Sequence, residues 1–126
     1  MAGQLTIDTL KASSGVLATQ NGMTGIAKAW CRFTGSTAVI ASSFNVSSIT
    51  RNAAGDYTAN FTTALPDSNY ALVGSADSSA SLNVVKTFQQ ASGTLVTPTT
   101  SAARFVTGNG STNQDATYVS IAILGN

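Results

Sequence analysis

The sequence contains no histidine, no glutamate, one cysteine and only three lysines among its 126 residues. Without histidine it lacks the commonest general base and the commonest imidazole metal ligand. A single cysteine excludes an intrachain disulfide and a thiolate zinc site. Charged residues make up 9% of the chain, against roughly 25% in an ordinary soluble domain. Six cations against five anions leave a net charge of +1 and no basic stripe, so nucleic-acid binding by phosphate neutralisation is not expected. No apolar run approaches the roughly 20 residues of a spanning helix, and membrane insertion is not expected. The opening stretch MAGQLTIDTLKASSG has neither the basic head nor the apolar core of a secretory signal. Ala2 follows Met1 where myristoylation would need glycine. With the residues that solvate helical surfaces missing or scarce, the composition argues against a mainly helical domain.

What the chain has instead is 16 Ser, 18 Thr, 9 Asn and 5 Gln, residues of strands, turns and loops. Its length is that of one ordinary domain. Residues 1–25 hold no aromatic side chain and read as an arm, with Leu5, Ile7 and Leu10 in a short alternating stretch suited to anchoring on a neighbour. Residues 26–126 read as the folded domain. Short apolar or alternating runs follow at Ile26–Phe33, Thr37–Ile49, Tyr57–Phe61, Tyr70–Gly74, Leu82–Phe88, Thr94–Val96, Ala103–Thr107 and Ala116–Leu124. The polar break at Ser42-Ser43 predicts a bulge or two short strands. Asn52–Asp56 reads as a hairpin turn in which Gly55 supplies a positive φ, and Pro66-Asp67 reads as another turn. Tyr57, Ala59 and Phe61 alternate with Thr58, Asn60 and Thr62, which predicts Phe61 inside and Asn60 outside. The pattern predicts an all-β domain, an antiparallel β-sandwich of jelly-roll-like type with an extended N-terminal arm.

Few residues can carry chemistry. Of the carboxylates Asp8, Asp56, Asp67, Asp77 and Asp115, a glycan-cleaving site would need two about 5–10 Å apart across a cleft. Asp56 and Asp67 sit beside Gly or Pro and read as turn residues that cap their own backbone. No D-x-D calcium pattern occurs, and no cofactor is expected. Cys31 lies between Trp30 and Arg32 and reads as a small buried hydrophobe. Trp30, Tyr57, Tyr70 and Tyr118 could stack on sugars, but each lies in an alternating apolar run and core packing is the stronger expectation. Asn45, Asn60 and Asn109 each begin an N-x-[ST] triplet, with Asn45 and Asn60 inside expected strands. The most polar loop follows Gly108, and Asn109, Ser111, Thr112, Asn113, Gln114 and Asp115 are its candidate exposed contacts.

Five segments occur in a fixed order: Ala29-Trp30 with Phe33 and Gly35, then SFNVSSIT at 43–50, GDYT at 55–58, NFTTALPD at 60–67 and Asn69-Tyr70. Together they resemble a module of bacteriophage tail-fibre and related virion surface proteins. The resemblance is close over residues 26–76, with Tyr118–Leu124 similar to the closing strand. It implies a β-rich structural or attachment module, commonly a homotrimer, with no catalytic residues to carry over. Cys31 stands where many relatives have Val, which suits a buried position. The implied partners are other copies of the chain, other virion proteins and a host-surface glycan or protein. The implied location is the phage particle surface, after synthesis in the bacterial cytoplasm. The expected function is therefore non-enzymatic attachment, with capsid decoration or a head fibre as the alternative and a small glycan depolymerase third.

Overall fold

The computed structural model describes residues 26–77, 84–109 and 111–125. The arm residues Leu5, Ile7 and Leu10, and Leu82, lie outside them. Among the described residues eight strands run in chain order: β1 (Ala27–Thr34), β2 (Val39–Phe44), β3 (Val46–Ala53), β4 (Asp56–Phe61), β5 (Ala71–Asp77), β6 (Val84–Thr87), β7 (Ala102–Gly108) and β8 (Tyr118–Leu124). They form two four-stranded antiparallel sheets, sheet A in the order β2-β1-β8-β5 and sheet B in the order β3-β4-β7-β6. The expected antiparallel β-sandwich is what the chain adopts. In its connectivity the β1–β2 hairpin lies in sheet A and the β3–β4 hairpin in sheet B, with the chain changing sheets between β2 and β3. β5, β6 and β7 then follow one another and β8 returns beside β5, a Greek key that straddles the two sheets.

The core forms where the period of two from each sheet meets its counterpart. Sheet A contributes Ala29, Cys31 and Phe33 from β1 and Val119, Ile121 and Ile123 from β8; sheet B contributes Tyr57, Ala59 and Phe61 from β4 and Ala103 and Phe105 from β7. The rings of Phe33 and Tyr57 meet edge to face with centroids 5.1 Å apart, and Phe105 lies against both. A second aromatic group joins Phe61, Tyr70 and Phe88. Such pairs add about 0.5–1.5 kcal/mol each beyond the area they bury. Phe61 is inside and Asn60 points out of sheet B, as the alternation requires. Cys31 is buried as expected, and burial pushes its thiol up to about 12.

Two of the aromatic expectations fail. Trp30 and Tyr118 are 39% and 46% exposed, whereas Tyr57 and Tyr70 are buried. The reason is the same alternation: with Ala29, Cys31 and Phe33 inside, Trp30 must face out, and with Val119 inside, so must Tyr118. Thr94–Val96 is not a strand either; Leu95 makes one isolated bridge to Gln89 within the loop after β6. The break expected at Ser42-Ser43 is displaced to its two sides. A bulge at Ala41 lies where the pairing steps from Arg32↔Ser42 to Phe33↔Ile40. The chain then changes sheets at Asn45, which takes φ 54°. Its Nδ2 donates to the carbonyls of Lys28 and Thr63 while its Oδ1 accepts from the Thr63 amide, so the side chain fastens the corner it creates. Asn45 is thus a corner residue between strands.

Candidate functional site

One end of the sandwich gathers the β3–β4 turn, the loop after β6 and the β7–β8 loop. Gly55 takes φ +67° in that turn, as expected, so Asp56 starts β4 pointing back under the loops. Its side chain is 1% exposed. Arg104 on β7 donates Nε to Oδ1 at 2.9 Å and Nη2 to Oδ2 at 2.8 Å, the parallel two-bond geometry of a strong guanidinium–carboxylate pair. The Ala91 amide adds a bond to Oδ2 at 2.7 Å, and Asn52 Nδ2 adds one to Oδ1. Burial works to raise the Asp56 carboxyl, but Arg104, Ala91 and Asn52 outweigh it and hold the group below the usual carboxylate range. Asp56 is therefore more than a turn residue, since it ties the loop after β6 to the sheet. Asp67 does what a turn residue does and accepts from the Asn69 amide at 2.7 Å.

Asp115 makes the matching anchor for the other loop. Its Oδ1 accepts from Tyr57 Oη at 2.6 Å and from the Gly55 amide at 2.8 Å, and Arg51 donates to both oxygens. Burial again opposes ionisation, and Arg51, Tyr57 and Gly55 again win, so this carboxyl too is lowered. The cost to Tyr57 is the reverse: burial and donation to Asp115 push its phenol up. Each carboxylate accepts at least four hydrogen bonds and is held ionised, so neither is poised to deliver a proton as a general acid.

These anchors leave a cleft of about 470 Å³ between the two loops, lined by Lys86 at the start of one side, by Gln89, Gln90 and Ser92, and across it by Ser111, Thr112 and Asn113. Asn113 Nδ2 donates to the Ala91 carbonyl at 2.9 Å and bridges the walls. Asn109 Oδ1 accepts from the Thr112 amide at 2.9 Å and turns the tip. Of the six loop residues singled out from sequence, Asn109, Ser111 and Thr112 are exposed, while Asn113, Gln114 and Asp115 are partly buried. Gln114 serves through its backbone, with its amide donating to the Thr107 carbonyl and its carbonyl accepting from Thr107 Oγ1. The opposite wall, Gln89 to Gly93, was not anticipated. Its signal was the run Gln-Gln-Ala-Ser-Gly directly after an apolar strand, which an expected strand at Thr94–Val96 obscured.

No protein-family model, no curated protein and no solved structure matches the chain. The lining of the cleft is thus the direct guide to its chemistry: amides and hydroxyls that can both donate and accept, set on a base of two ion pairs.

Proposed function

We propose that the protein is a non-enzymatic structural protein of the bacteriophage virion surface, of fibre or attachment type. It acts as a homotrimer associated with other virion proteins, and its loop end contacts a host-surface glycan or protein. The observation that carries this reading is the cleft between the Gln89–Gly93 and Asn109–Asn113 loops. Amide and hydroxyl groups at fixed positions match the alternating donors and acceptors of a sugar surface. Fixing them beforehand by Asp56 and Asp115 lowers the ordering cost of binding. The order of segments from Ala29 to Tyr70 supplies the viral part of the reading.

Antibody raised against the 109–113 loop should label intact phage particles at the tail and block adsorption to the host. Gln89→Ala with Thr112→Ala should reduce cell binding of the purified protein at least tenfold without lowering its melting temperature. Unchanged binding by that double variant would remove the cleft from the contact. Label distributed over the capsid would favour the second reading, a decoration protein, which the apolar outer face of sheet A also suits.

A further inference from the structure

The outer face of sheet A, away from the loop cleft, is built unlike the rest of the surface. Pairing places Phe44, Trp30, Ala122 and Val73 in one row across β2, β1, β8 and β5. Trp30 is 39% exposed and Val73 50% exposed. Leu124 and Tyr118, also exposed, flank the row along β8. Beside Trp30 the small side chains of Ala122, Ser120 and Ser75 leave a shallow depression of about 410 Å³ with Val73 at its edge. Two opposite charges share the face. Arg32 lies 4.4 Å over the Tyr118 ring, Asp77 pairs with Tyr118 across the strands, and neither has an ionic partner among the described residues.

We propose that the outer face of sheet A is the contact between copies of this chain. The proposal takes from the reading above only that the chain self-associates; a face complementary to itself closes a pair, so at this surface the assembly is a dimer in place of the trimer. A second copy is the occupant because one face supplies both halves of a contact: an outward indole and a recess, a guanidinium and a carboxylate. The size sets the strength. Strands of six to eight residues at about 3.3 Å per residue, four abreast about 4.8 Å apart, span roughly 20 by 20 Å, or about 400 Å² in projection. That is roughly half the 800 Å² per partner of a standard interface, so the contact belongs to the weak, concentration-dependent class. The apolar row crosses all four strands and the charges lie to one side of it, at the edge of the face.

The test follows the full chain by sedimentation velocity from about 1 to 100 µM, the range in which such contacts assemble. The emission of Trp30, the single tryptophan, is read in parallel. The wild-type chain should associate with rising concentration while its emission moves to the blue. Val73→Lys, and independently Ser75→Arg, should stay monomeric with red-shifted emission and a wild-type melting curve. Ser48→Lys, on the outer face of sheet B, should associate as wild type does. A monomeric wild type, or an oligomer that both sheet A variants leave intact with Trp30 emission unmoved, overturns the proposal. The two readings separate cleanly. A dimer abolished by Val73→Lys keeps the face and discards the trimer, whereas a trimer indifferent to Val73→Lys and Ser75→Arg keeps the trimer and discards the face.

Discussion

The two sheets share one alternation and spend their outward positions differently. Over β3 and β4, sheet B turns out side chains that satisfy one another: Asn60 Nδ2 donates to Ser48 Oγ and Thr50 Oγ1, and Asn52 Nδ2 donates to Thr58 Oγ1 and Asp56 Oδ1. Sheet A turns out Trp30, Val73, Ala122 and Leu124, whose largely apolar surface gains by being covered. A face of the first kind is complete in water. A face of the second kind leaves apolar area that burial against another surface would stabilise by about 25 cal/mol per Å². A period of two assigns a residue to a face without saying what that face is for.

Phe61→Ala, in the layer both sheets share, should cost about 3–5 kcal/mol as a truncated core ring. Chemical denaturation of purified protein would measure it, and near-wild-type stability would show that the sheets do not depend on that layer. Asp56→Ala leaves Arg104 without its carboxylate and the Ala91 amide without its acceptor. The expected loss is about 3 kcal/mol, together with faster hydrogen exchange in the loop after β6. If sheet B's polar decoration were idle, neither change would be seen. Tyr57→Phe keeps the ring packing and removes the donor to Asp115, for about 1.5–3 kcal/mol.

Acid sharpens the same contrast. Asp56 and Asp115 have lowered pKa values in the folded state, so their stabilisation is present above the ordinary carboxylate value of about 4. It is lost as pH falls through their lowered folded values. Melting temperature should therefore hold from neutral pH to about pH 5 and fall below about pH 4, and Asp115→Asn should flatten that fall. The smallest effect belongs to Asn60→Ala, about 0.5–1 kcal/mol, because its bonds to Ser48 and Thr50 lie on an exposed face where water replaces them.

The inward half of this structure was legible because it is written locally. Tyr57, Ala59 and Phe61 in one strand, and Cys31 and Phe33 in another, declare their face by spacing alone. Gly55 declares its turn by being the residue for which positive φ costs least. Trp30 and Tyr118 read as core residues when size is weighed above position, although the alternation that buries Cys31 already turns Trp30 outward. The Asp56–Arg104 and Asp115–Tyr57 bonds were not legible at all. Their partners lie 48 and 58 positions apart in the chain, and only strand order brings them together. Asn45 fell between these cases, since its corner lay inside a run whose composition suits a strand.

The place of β8 between β1 and β5 has a consequence for the order in which the molecule is made. Sheet A has the last of the eight described strands at its centre, paired from Ala27↔Leu124 to Phe33↔Val119 on one side and along the whole of β5 on the other. The β3–β4 hairpin needs only neighbours in sequence and can close while synthesis continues. β1 must wait. Until residues 118–124 leave the ribosome, both flanks of sheet A keep unpaired backbone groups and an uncovered apolar side, the state most open to pairing with another nascent chain. Ribosomes on one message hold many such chains close together, so the interval before β8 arrives is when copies of this protein are best placed to meet.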